Sequence, residues 1–283
     1  MSQLQSKARS LSADLLKAVS KLQQDASPKS VHKLRTTIRR IESLVQYGQP
    51  KLSKKQQRAI EEIADLRKRA GKIRDLDVQL DLLGAIGNGS TAADRRTLTQ
   101  TLSRKRTRQV RRLTSLLKKV ADSRLAARLQ KITGKLQPAD SADEMALPLQ
   151  QAEAELSKLA AGYGQGQPLK PARLHQLRID LKQVRYTAEL AGGSTQQEQF
   201  LAVMKAVQDA IGEWHDWEIL VKTAEKQFAD RVNCPFLTEI RALMAAKYSF
   251  AASAVTGLFA TGARAARKQP RSAAPVSVLT RRA

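Results

Sequence analysis

Apolar residues at Val31, Leu34, Ile38, Ile41 and Val45 recur at alternating steps of three and four, which lays one apolar stripe along an α-helix. Leu174, Leu177, Leu181 and Val184 repeat the pattern far downstream. Ala, Leu, Gln, Lys and Arg dominate the chain and period-two alternation of β-branched residues is almost absent, so the periodic segments predict helices throughout and an all-α fold. Breakers at Ser27-Pro28, Gly48 to Pro50, Gly84 to Ser90, Gly134 to Pro148, Gly162 to Pro171, Gly192-Gly193 and Asn233 to Pro235 divide these segments into about nine to eleven helices. The expected organisation is a helical domain over 1–263, with halves of about 1–135 and 145–263. A basic tail over 264–283, rich in Ala, Arg, Pro and Ser, is expected to be disordered.

The two stripes belong to an internal repeat of long period. His32-Lys33-Leu34-Arg35 opens one copy and His175-Gln176-Leu177-Arg178 the other. Each is followed by a helix and then by a Gly-x-x-x-Asp-x-acid-aliphatic element, Gly71 to Val78 and Gly212 to Ile219. The offset is 143 residues at the His and 141 at the Gly, and between them Ile60, Ile63 and Leu66 fall opposite Leu201, Met204 and Val207. Two similar helical bundles related by an approximate two-fold axis are the expectation.

One residue round from the first apolar stripe, His32, Arg35 and Arg39 keep the same spacing and form a second stripe about 100° away, at the edge of the core. His175, Arg178, Lys182 and Arg185 do the same in the second copy. A single such row is ordinarily a solvated boundary with its aliphatic stems packed down. Its recurrence, with all three histidines of the chain (His32, His175, His215) inside the repeated elements, points instead to a groove wall. A positive stripe beside each imidazole disfavours protonation until an anion arrives, so each His is expected to become a donor on binding. A third basic run contains Arg104, Arg108 and Arg111 on one face of a later helix, and at the equivalent place in the second half the charge thins to Lys247. Asp75, Asp77, Asp216 and Glu218 follow the two glycines and read as helix caps and partners of nearby Arg or Lys. Trp214 and Trp217 lie three apart on one face and read as packing residues.

Charge sharpens this picture. Fifty Lys and Arg against 26 Asp and Glu leave +24, and removing the six basic residues after 263 still leaves +18, so the folded body is itself basic and expects an anionic partner. Cys234 is the only cysteine, which excludes an internal disulfide and a cysteine-based zinc site and fits a reducing compartment. The N-terminal segment is amphipathic rather than a signal peptide, and no segment approaching the ~20 apolar residues of a membrane span is expected. No phosphate-binding loop, histidine metal set or acidic magnesium cluster is present in the pattern, so a cofactor and catalysis are not expected.

The residues His32 to Arg40 with Arg74 to Val78, and His175 to Tyr186 with Gly212 to Asp216, together resemble the CHAD family of histidine-containing α-helical domains. That resemblance spans most of the chain. It implies two pseudo-symmetric four-helix bundles around a basic central cleft or pore that binds inorganic polyphosphate without catalysis, often at cytoplasmic polyphosphate granules. Family members are often fused to a triphosphate-tunnel hydrolase; its Glu-x-Glu-x-Lys signature is missed by one residue at Glu153 to Lys158, so no such enzyme is expected here. The residues expected to hold polyphosphate are His32, Arg35, Arg39, Arg40, Arg104, Arg108, Arg111, His175, Arg178, Lys182, Arg185 and Lys247. Nucleic-acid backbone binding through the basic surface and tail is the alternative, although 4% aromatic content gives base stacking little material. A monomer is the favoured state.

Overall fold

The computed structural model describes residues 3–48, 52–87, 89, 91–119, 125, 127–130, 142–163, 169–191 and 193–268. Eight long helices account for nearly all of them: α1 (Gln3–Gln24), α2 (Pro28–Gly48), α3 (Lys54–Ala85), α4 (Ala92–Lys119), α5 (Ala142–Tyr163), α6 (Pro171–Ala188), α7 (Thr195–Gln227) and α8 (Pro235–Lys268). The fold is all-α, and no strand occurs among the described residues.

Helices α1 to α4 pack in a closed order, α1 on α2, α2 on α3, α3 on α4 and α4 back on α1; α5 to α8 repeat that order. The apolar stripes behave as their spacing predicts. Val31, Leu34, Ile38, Ile41 and Val45 are buried with Leu15, Ile63, Ile73, Leu113 and Leu117 in the first bundle. Leu174, Leu177, Leu181 and Val184 are buried with Met204, Ile211, Trp214 and Val255 in the second. A third cluster joins the two bundles, since Leu83, Leu98 and Leu102 pack with Trp217, Leu220, Phe228, Phe236 and Ile240. Trp214 and Trp217 are thus both packing residues. The bundles also meet along α2 against α6 and α3 against α7, which carry the repeated motifs.

Three expectations are corrected. Neither Gly71 nor Gly212 interrupts its helix, so Asp75, Asp77, Asp216 and Glu218 sit in helix interiors and cap nothing. A single glycine costs a helix about 1 kcal/mol, which the burial of Ile63, Leu66 and Ile73 on α3 readily offsets. Helix α5 starts at Ala142 and carries Pro148 within it, so the breaker stretch expected up to Pro148 is shorter. Helix α8 continues through Lys268, beyond the expected start of the tail at 264; residues 269–283 lie outside the described residues. The Pro235–Ala260 stretch of α8 is also long and apolar enough, by length and composition, to cross a membrane, with a mean hydropathy of 1.2. Here it packs along α7, placing Phe236 and Ile240 in one cluster and Val255 and Phe259 in another.

The repeat extends to the start of the motif-bearing long helices. Ser53 caps α3, its hydroxyl accepting from the Gln56 backbone N–H while the Gln56 side chain accepts from the Ser53 N–H at 3.0 Å. Ser194 caps α7 in the same way, accepting from the Gln197 N–H at 3.2 Å, and the Gln197 carboxamide donates at 2.6 Å to the carbonyl of Ala188 at the end of α6. Across the bundles, the Lys7 ammonium on α1 donates to the carbonyls of Glu189, Leu190 and Ala191 at 3.2, 2.8 and 2.7 Å, satisfying acceptors at the C-terminal end of α6.

Candidate polyanion-binding site

Where α2 meets α6, the two basic stripes face each other. Arg39 donates to the Tyr186 hydroxyl at 3.3 Å, and the side chains of Gln183 and Gln46 bond at 3.2 Å across the same seam. Behind the seam, α3 and α7 present Asp75 and Asp216. Arg35, Arg39, Arg178 and Lys182 all lie within electrostatic reach of Asp75, and Arg178, Arg74 and Lys182 within reach of Asp216. Arg35 crosses α3 at Gly71, with its Nε 3.8 Å from where a Cβ would stand. The first copy and the second copy therefore supply one cluster between them.

Burial and mutual repulsion leave that cluster under-neutralised. Burial first and then Arg39 lower the Arg35 guanidinium to about 10, against a partial restoring effect from Asp75. Burial lowers Arg178 too, and Arg39 adds to this while Asp216 and Asp75 oppose it. Lys182 falls furthest, to about 7, through burial followed by Arg178, Arg39 and Arg35. Burial raises the carboxyls of Asp75 and Asp216 even though cations surround them. Arg35, Arg178 and Lys182 make no hydrogen bond or ion pair with any described residue, and the buried Arg178 Nε is without a partner among them. Donors held in place without acceptors are what an incoming phosphate oxygen completes.

The histidines ring this cluster. Burial, then Arg74 and Arg35, hold His32 below the usual imidazole range. His175 and His215 meet edge to face at 4.9 Å between ring centroids. His215 is pushed down to about 4 by burial and Arg178, although Glu218 lies 3.3 Å from its Nδ1. Burial and the neighbouring guanidiniums thus hold His32 and His215 toward the neutral form.

Not every expected residue converges here. Arg40 and Arg185 both engage Glu189, at 3.1 and 3.0 Å, and Arg185 also donates to Gln208, so their charge is largely committed to a carboxylate. Lys247 is paired with Glu213 at 2.7 Å. Arg104, Arg108 and Arg111 are exposed on α4, and among the described residues no hydrogen bond or ion pair joins them to the cluster. Their neighbour Arg106 turns inward to the buried Asp77 carboxylate and to the Ala26 carbonyl at 2.9 Å. Conversely, Arg74, Asp75, Tyr186 and Asp216 belong to the cluster without having been proposed for it. The Asp75/Asp216 recurrence in the repeat was the signal that pointed to them.

Two recesses open beside the cluster. One, of about 830 Å³, lies between α2, α3 and α6 and includes Arg39, Arg178 and Lys182 in its wall. The other, of about 480 Å³, runs between α2 and α3 past Arg35 and Asp75. Arg39 and Arg67 line both. No group of three or more His, Cys, Asp or Glu suited to a metal occurs among the described residues.

A family model of the CHAD domain matches residues 8–225, which include both basic stripes and both aspartates. The chain belongs to the CHAD domain family. Its fold is similar to the crystal structure of the CHAD domain from the plant Ricinus communis, with a TM-score of 0.67 at 20% identity over 91% of each chain. PptA from Streptomyces chartreusis gives a TM-score of 0.62 at 19% identity over 92% of this chain and 98% of that one. At such identities these likenesses extend the CHAD assignment to the fold alone. No curated protein sequence matches this one.

Proposed function

We propose that this CHAD protein binds inorganic polyphosphate in the groove between α2 and α6, without catalysis, and that this binding associates it with polyphosphate granules in the cytoplasm. One observation carries the reading: Arg35, Arg178 and Lys182, drawn from both copies of the repeat, converge with no hydrogen-bond or ion-pair partner among the described residues. A linear chain of phosphates supplies anionic oxygens at regular intervals, and Arg forks bind such oxygens in pairs. Counterion release adds affinity that falls steeply with salt. The test is titration of long-chain polyphosphate against the protein and its R35E and R178E variants over a salt series. Weakened binding in each variant is expected; unchanged affinity in both removes the groove from the site.

The exposed Arg104, Arg108 and Arg111 row supports a second reading, contact with a nucleic-acid backbone on α4. Competition separates the two. RNA that displaces polyphosphate at equal phosphate concentration favours a general polyanion surface, whereas RNA that leaves it bound favours the groove.

A further inference from the structure

The larger recess has a wall that a phosphate chain does not use. Beside Arg178 and Lys182 it presents Ile60, Ile179, Leu52 and the Tyr186 ring, and inorganic polyphosphate carries no apolar surface to place against them. Ile179 is 48% exposed, an isoleucine left in solvent at the edge of a cationic site. The repeat shows that this wall is particular to one side of the molecule. Ile179 and Tyr186 in the second copy correspond to Thr36 and Ser43 in the first, so the ring and the exposed isoleucine come from the second copy, while Leu52 and Ile60 come from the first. The Gln46 and Gln183 carboxamides and the Ser43 hydroxyl lie on the same recess and offer both donors and acceptors. At about 830 Å³ the space is in the range of small-molecule sites.

We propose that this recess binds a nucleoside polyphosphate, its base against Ile60, Ile179 and Tyr186 and its phosphates on Arg178 and Lys182. The amides of Gln46 and Gln183 face the edge of the base. This rests on the groove reading only in sharing Arg178 and Lys182 as the anionic end of the site. The aliphatic and aromatic wall adds a second kind of recognition, for a flat body bearing polar edges. A fatty acyl chain fits the wall less well, because the carboxamides and Glu42 would be stripped of water against it.

The test compares ATP with inorganic tripolyphosphate on the full chain, without divalent cation and at fixed ionic strength. The two anions have the same number of phosphates and tripolyphosphate carries more charge, so electrostatics alone favours tripolyphosphate. The recess predicts the reverse, with ATP binding about tenfold tighter. Ile179→Ser, at an exposed position that does not endanger the fold, is expected to reduce ATP affinity several-fold, and I60T/I179S about tenfold. Tripolyphosphate affinity stays within about twofold in both variants and reports that each is folded. ATP binding no tighter than tripolyphosphate, or an Ile179→Ser variant with unchanged ATP affinity, overturns the proposal. Long-chain polyphosphate is titrated in parallel. Its failure to bind while ATP binds removes the polyphosphate reading and leaves this one standing; the opposite pattern removes this one alone.

Discussion

The two copies of the repeat place the same residue types at the same points of the same helices, yet they solve the burial of charge differently. In the first, Asp77 is almost wholly buried and held by Arg106 from α4, with its Oδ2 lacking a partner among the described residues. In the second, the equivalent Glu218 is more open and shared between His215 and the exposed Lys222. Arg74 of the first copy corresponds to His215 of the second, so one side of the cluster keeps a permanent charge where the other has an imidazole pushed down to about 4. The two copies share their helical placement and differ in how burial and charge are met at Asp77 and Glu218 and at Arg74 and His215.

That contrast can be broken most forcefully at Arg106. Arg106→Ala leaves the Asp77 carboxylate buried and unpaired, which should cost about 3 kcal/mol in urea unfolding, whereas Glu218→Ala in the other copy should cost less than about 1 kcal/mol. Equal losses would mean that the two sites are built alike. Next in size, R178E is expected to reduce polyphosphate affinity about thirtyfold at low salt, and R35E somewhat less. Arg178 faces Asp216 and Asp75 with an unpartnered Nε, while Arg35 has solvent on its α3 side along the smaller recess. Isothermal titration over a salt series measures both.

The pH dependence sharpens the comparison further. Lys182 in the free protein is lowered to about 7, and a bound polyanion restores it toward 10.5, so binding takes up a proton between those values. Affinity should therefore fall as pH rises from 7 toward 10, by about tenfold per unit at most. Lys182→Arg should flatten this slope, which polyphosphate titrations at several pH values would reveal. The smallest effect is expected at Arg74. Arg74→His makes the first copy resemble the second and removes a repulsion that helps to lower His32, so the His32 imidazole should titrate at higher pH in NMR. An unchanged His32 titration would leave burial and Arg35 as its causes.

Much of this was legible before any coordinates. The stripes at 31–45 and 174–184 named core residues directly, because helical period and burial are linked by geometry. The pairing of His32-x-x-Arg35 with His175-x-x-Arg178 marked a duplicated basic element, and only the family resemblance implied a cleft between the halves. Spacing could not show that Gly71 and Gly212 would remain helical, because the packing of α3 and α7 decides that. Nor could it show that Arg40 and Arg185 would converge on Glu189, since Arg40 and Glu189 are 149 residues apart and only the docking of α2 on α6 joins them. The α4 arginines met the same difficulty: a shared helical face identified them as a group and left open which way that group would point.

The Lys7 contact sets a timetable for synthesis. Its amine grips carbonyls up to 184 residues further along the chain, so α1 cannot complete its docking until residue 191 has been made. At typical elongation rates that interval is roughly ten to forty seconds. During it the Lys7 ammonium is without these three acceptors in a strongly basic chain.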